Sequence, residues 1–137
     1  MNQKNKTLFW ILIALLIMNI TINRPNNTQV LEKKEIPMTL IINNTHIIGF
    51  DVNTTTLTFG QIPPNLSSRR EITISNEYNA PVNIEIRKKG EIKNFITPSE
   101  TIFTLEKTQS KKIIIYAYSQ EAQNKKYEGT LEIIIKK

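Results

Sequence analysis

Residues 57–75 read LTFGQIPPNLSSRREITIS, and the two adjacent prolines in this run limit the fold more than any other feature of the chain. Neither Pro63 nor Pro64 has a backbone N–H to give to a ladder, and both fix φ, so a strand arriving from Leu57 stops there. Apolar residues alternate on either side: Leu57 and Phe59 before a break at Gly60, then Ile72 and Ile74 within Glu71–Ser75. A two-residue period turns one face of each segment to a core and the other to solvent, as strands require and helices do not. The run is therefore a corner between two half-buried strands. A chain that crosses in this way passes from one sheet of a β-sandwich to the other.

The same period recurs downstream. Val82, Ile84 and Ile86 alternate with Asn83, Glu85 and Arg87, and Phe103 and Leu105 share a face. Residues 112–119 (KIIIYAYS) and 130–135 are apolar on both faces, so each of these strands is either covered twice or presents a patch. Turn clusters at 76–81 and 106–110 punctuate the strands, and the polar stretch 120–129, ending in Tyr127 and Gly129, reads as a loop. Met38–Ile42 and His46–Val52 flank Asn43, Asn44 and Thr45 at hairpin-like spacing, giving an extra strand and the first sandwich strand. No 3.6-residue stripe persists beyond the N-terminal run, and β-branched residues dominate. The expected core is Phe59, Ile72, Ile74, Val82, Ile84, Phe103, Ile113, Ile115, Leu131 and Ile133.

Ahead of this domain, residues 8–22 (LFWILIALLIMNITI) carry no charge and follow Lys4 and Lys6. As a helix this run is about 22 Å long, the length of a short membrane span or of a signal peptide. After Ala14 no Ala, Gly or Ser precedes the polar stretch, so a signal-peptidase site is missing and an uncleaved signal anchor is expected. The preceding lysines put the N-terminus in the cytoplasm and the rest outside. The expected layout is a cytoplasmic start at 1–7, a transmembrane helix at 8–22, a polar tether at 23–37 (NRPNNTQVLEKKEIP) and one sandwich domain at 38–137.

The residue inventory argues against chemistry. The chain has no cysteine and one histidine, His46, whose metal partners would have to be carboxylates such as Asp51 and Glu32. Ser67, Ser68, Ser75 and Ser99 lack a nucleophile elbow, and no glycine-rich loop is present to cradle phosphate. Glu85, Glu128 and Glu132 occupy outward strand positions, where solvated charge is expected. No catalytic, cofactor or metal site and no small-molecule substrate are expected. The net charge of +6 is dispersed among acidic residues without interleaved stacking aromatics, so nucleic acid is not an expected partner either. Two kinds of surface feature remain. Asn26, Asn43, Asn53 and Asn65 each open an Asn-x-Ser/Thr sequon in an expected tether or loop, where glycan transfer is sterically possible. Tyr116 and Tyr118 share a face with Ile114, and Ile134 joins them if the last two strands pair; this group is the candidate partner-binding surface unless another element covers it.

Leu57-Thr58-Phe59-Gly60, Ile62-Pro63-Pro64, Arg70-Glu71-Ile72-Thr73-Ile74-Ser75-Asn76, Ala80-Pro81-Val82, Phe103-Thr104-Leu105 and Tyr127-Glu128-Gly129-Thr130-Leu131 occur in an order that resembles immunoglobulin-like repeats of archaeal and bacterial envelope proteins. Their layout is similar to the Hydin and major sperm protein type of sandwich. The chain departs from that pattern at Asn65, where a Gly commonly follows the prolines, and at 107–110, which lacks the usual Pro-Gly. The resemblance implies an all-β, immunoglobulin-like antiparallel β-sandwich behind one N-terminal transmembrane helix, without shared catalytic residues. It further implies a membrane-anchored extracytoplasmic binding or scaffolding domain of the cell envelope, held by residues 8–22 and contacting an envelope or surface protein. The alternative is a periplasmic-type chaperone or a filament accessory acting through an exposed strand edge. Protease added to spheroplasts should remove the domain from the full chain; protection of a C-terminal tag while an external marker is digested would overturn this topology.

Overall fold

The computed structural model describes residues 28–43, 55–119 and 124–137. The expected cytoplasmic start, membrane span, His46–Val52 strand, His46 and Asp51 lie outside the described residues. Among the described residues eight strands build two sheets: β1 (Val30–Ile42), β2 (Leu57–Ile62), β3 (Ser67–Ser75), β4 (Val82–Gly90), β5 (Ile96–Pro98), β6 (Ile102–Leu105), β7 (Ser110–Tyr118) and β8 (Lys125–Lys136). A single 3₁₀ turn, Glu91–Asn94, follows β4. The larger sheet has the order β2-β1-β8-β4-β6 and the smaller one β3-β7-β5. The fold is all-β, and among the described residues no helix is long and apolar enough to cross a membrane.

The proline corner does what its chemistry requires. β2 belongs to the larger sheet and β3 to the smaller, and Pro63–Leu66 carries the chain between them. Asn65 stands at φ 61°, a left-handed conformation that Asn tolerates better than most residues, so it serves where a Gly is common. The alternation breaks at Gly60, but β2 runs on to Ile62 and stops immediately before Pro63, as the missing proline N–H groups require. Gly60 has φ 74°, and the register advances from Thr39↔Thr58 to Ile41↔Gln61, so β2 carries one extra residue. A bulge of this kind needs a residue without a Cβ and keeps Phe59 and Ile62 both turned to the core.

Larger differences lie at the two ends of the domain. Val30–Pro37 is not tether but the first half of β1, in continuous antiparallel register with β8 from Glu32↔Ile135 to Ile42↔Lys125. Its LEKKEIP sequence has little strand propensity; the ladder to β8 supplies what propensity lacks. At the other end, β8 starts at Lys125 and absorbs half of the expected loop 120–129. Tyr127 is buried, with its ring centroid 4.3 Å from that of Phe95, and Gly129 pairs with Met38 on one side and Gly90 on the other. A Cβ on Gly129 would lie 2.1 Å from the Lys89 carbonyl oxygen, which is why this strand centre carries no side chain.

Both sheets feed one core. Met38, Leu40 and Ile42 of β1, Val82 and Ile84 of β4 and Leu131 of β8 meet Ile113, Ile115 and Ala117 of β7, each 1% exposed or less. Of the expected core residues, Ile72 and Phe103 are only half-buried at the rim, whereas the other eight are buried. At the pole holding Val30 and Lys136, buried Asn76 closes the loop after β3: its Nδ2 donates to the carbonyls of Ala80 (2.9 Å), Leu105 (3.1 Å) and Glu106 (3.0 Å), and its Oδ1 accepts from Tyr78 N–H (2.9 Å). Phe59, 2% exposed, joins β2 to this core. Phe59→Ala should therefore lower unfolding free energy by about 3–5 kcal/mol in chemical denaturation; a loss under about 1 kcal/mol would contradict its place in the core.

Candidate functional site

β7 is the middle strand of the smaller sheet, flanked by β3 and β5. With Ile113, Ile115 and Ala117 facing the core, pleating sends Ile114, Tyr116 and Tyr118 to the opposite face. Ile114 and Tyr116 are half-buried there, while Tyr118 is 44% exposed. The tyrosine rings lie 6.2 Å apart and 24° from parallel. Register puts Arg69 and Thr97 on either side of Tyr116, with Ser67 opposite Tyr118 and Glu71 opposite Ile114. The result is a small aromatic–aliphatic stripe with a polar border.

One apolar residue extends that stripe. Leu66, 55% exposed at the end of the proline corner, lines a surface depression of about 510 Å³ with Asn65, Ser67, Tyr118 and Ser119. The depression is held by Asn65 N–H donating to the Ser119 carbonyl (2.9 Å), Ser119 N–H to that of Leu66 (3.0 Å) and the Ser119 hydroxyl to that of Pro63 (2.5 Å). Sequence reasoning passed over Leu66. The available signal was a lone large aliphatic in an otherwise polar turn.

Ile134 does not join the tyrosines. β7 and β8 belong to different sheets, and Ile134 sits on the outer face of the larger one, opposite Lys33 and Glu85, where it is buried. The condition for its inclusion, pairing of the last two strands, fails because the chain changes sheet between them. Of the sequons, Asn65 is exposed on the corner and Asn43 half-buried, its N–H donating to the Ile62 carbonyl (3.3 Å). Asn26 and Asn53 lie outside the described residues.

The outer face of the larger sheet holds a charge cluster that was expected to be solvated. Glu132 is 1% exposed, and Lys33 from β1 and Lys89 from β4 bring their ammonium groups to its Oε1 at 2.7 and 2.6 Å. Lysine stems from both neighbouring strands cover the carboxylate, so an outward position becomes a buried one. Hydrogen bonding to Lys33 and then to Lys89 holds the Glu132 carboxyl down at about 2, against the opposing effect of burial. Glu85, beside it on β4, is likewise held below the ordinary carboxylate range by Arg87 and Lys136. Every acid in this cluster has a basic partner, and among the described residues no group of His, Asp and Glu could hold a metal ion. The cluster fastens three strands to one another.

Comparison with protein families, curated proteins and solved structures finds no match to this chain.

Because the Glu132 pKa is depressed in the folded state, its contribution to stability is complete above the ordinary carboxylate value of 4.5 and is lost as pH falls toward about 2. Urea midpoints of the unaltered chain and of Glu132→Gln should differ most above pH 5 and converge between pH 4.5 and 2. A gap that stays constant over that interval would contradict the ion-paired carboxylate.

Proposed function

We propose that this chain is a non-catalytic, membrane-anchored extracytoplasmic domain of the cell envelope that binds or scaffolds another envelope protein through the Ile114–Tyr116–Tyr118 face, with Leu66 at its margin. The observation that carries this reading is the exposed Tyr118–Leu66 surface at the pole opposite Gln29 and Lys137. Lys137 N–H bonds to the Gln29 carbonyl at one end of the sandwich, whereas Ser67↔Tyr118 and the Asn65–Ser119 bond lie at the other. A chain anchored through residues 8–22 has only residues 23–29 before β1, about 24 Å at full extension. Such a domain rides close to the bilayer and turns its tyrosine pole outward. Tyrosines suit this role, because they offer a large amphipathic contact area at low entropic cost. The sandwich itself is read here as immunoglobulin-like, in keeping with the order of its sequence landmarks, and Asn65 on the same pole is a candidate glycan acceptor.

A second reading, chaperone or filament accessory, draws on the free edge of β3. Below the reach of β2, Ile72 and Ile74 border a groove of about 570 Å³ whose other wall includes Lys34 and Ile36 and whose floor includes Ile133 and Ile135. An extended segment could add there as a strand.

In native membranes, Tyr116→Ala with Tyr118→Ala should abolish crosslinking to a recurrent envelope partner while lowering the thermal midpoint by no more than about 5 °C, since Tyr118 is exposed and Tyr116 is half-buried outside the core. A large drop in midpoint would make the tyrosines structural, and retained crosslinking would remove them from the interface. Capture of diverse unfolded secreted chains in place of one partner would favour the strand-edge reading.

A further inference from the structure

Arg69 breaks the charge pattern of the two sheets. On their outer faces Lys33, Arg87, Lys89, Lys112, Lys126 and Lys136 each meet a carboxylate oxygen at 2.8 Å or closer. Among the described residues, Arg69 is the one basic side chain on either outer face that no carboxylate meets. Its neighbour Arg70 points to the other side of β3, where its Nε donates to the Thr58 carbonyl at 2.8 Å. That residue engages Arg69 through the backbone alone, Nη1 donating to the Arg69 carbonyl at 2.8 Å. The Arg69 side chain is exposed, and its guanidinium is left to solvent.

Its place on the sheet gives this vacancy a meaning. Arg69 lies opposite Tyr116, and Thr97 of β5 closes the row on the other side. Tyr118 with Ser67 forms the row above, and Ile114 with Glu71 the row below. Glu71 is held by Lys112 at 2.8 Å, so that pair adds no net charge. The tyrosine face therefore carries a single uncompensated positive charge, on its β3 side. A guanidinium is a planar fork of donors that fits a carboxylate with two parallel hydrogen bonds, and Tyr and Arg together make the anchors of protein interfaces. Same-face neighbours along a strand stand about 7 Å apart, so an acid set one row below Arg69 faces Glu71. The face fits one acid among apolar residues and disfavours an acidic run.

We propose that the partner presents a single Asp or Glu side chain to Arg69, from a protein segment whose neighbouring apolar residues lie on Tyr116 and Tyr118. Arg69 has this role only where the tyrosine face is the contact surface, so the assignment rests on that reading and supplies the chemistry that selects the partner. An ion pair at the rim of an apolar contact governs which partner is accepted more than how tightly it is held. A second copy of this chain does not offer the acid from its sheets. Among the described residues Glu35, Glu71, Glu85, Glu128 and Glu132, the acids of the outer faces, already hold basic partners.

In native membranes, Arg69→Lys in the full-length chain puts an amine within reach of the same carboxylate. A water-soluble carbodiimide then condenses the two into an amide, taking up the water released and leaving as a urea. Peptide mapping should find position 69 joined to one recurrent acidic residue of a partner protein, at a yield at least about tenfold above that at Lys93, an exposed lysine of the 3₁₀ turn outside this face. The unaltered chain, whose guanidinium does not condense, should give no link at position 69, and adding Tyr116→Ala with Tyr118→Ala to Arg69→Lys should remove the link. Arg69→Glu should lower crosslinking of the partner about tenfold or more while moving the thermal midpoint by no more than about 3 °C. Partner links at position 69 no more frequent than at Lys93, or links to an acidic sugar in place of a protein, would overturn the assignment. Crosslinking that depends on Tyr116 and Tyr118 but is indifferent to Arg69→Glu overturns it as well and leaves the tyrosine reading standing. Crosslinking indifferent to all three residues removes both.

Discussion

Without its pairing to β8, β1 would be a segment charged over Glu32–Glu35 with most of its apolar residues gathered from Ile36 to Ile42. Its ladder from Glu32 to Ile42 converts that segment into the strand that completes the larger sheet, and the rest of the domain rests on this pairing. The inner side chains Met38, Leu40 and Ile42 fill the core, β2 gains the one sheet partner it has among the described residues, and Lys33 reaches Glu132. A domain of this size has one core and no disulfide to reinforce it, so a strand that contributes to all three cannot be peripheral.

The two outer faces illustrate how coverage depends on neighbours. β7 and β8 are both apolar on two sides, and each is an interior strand of its sheet. β8 has long strands β1 and β4 beside it, and their lysine stems and ammonium groups close over Glu132 and Ile134. β7 has β3 along its whole length but, among the described residues, only the three-residue β5 on its other side. Its outer side chains consequently remain partly open, with Tyr118 and Leu66 at the most open end. The same sequence pattern thus yields a buried ion-paired seam on one sheet and a partly open aromatic face on the other.

Close backbone approach explains features that composition hides. Gly90, at φ 84°, faces Gly129 so closely that a Cβ on Gly90 would lie 2.6 Å from the Gly129 Cα. This lets β4 leave the sheet into its 3₁₀ turn while β8 continues past it. Asn76 does comparable work at the opposite pole, where one side chain satisfies carbonyls from two loops.

The sequence by itself determined the strands of the middle of the chain, the corner at Pro63 and Pro64, and the grouping of Ile114, Tyr116 and Tyr118 on one face. Those are consequences of a two-residue period and of the missing proline N–H, both properties of local chain geometry. Only the tertiary structure decided that Val30–Pro37 is strand, that Tyr127 is core, that Glu132 is buried and that Ile134 lies on a different sheet from the tyrosines. Each of these depends on which strands become neighbours, and a period of two records that a residue faces outward without recording what will stand over it. Lys33 and Lys89 lie far from Glu132 in the chain and meet its carboxylate only because β1, β8 and β4 are adjacent in the sheet.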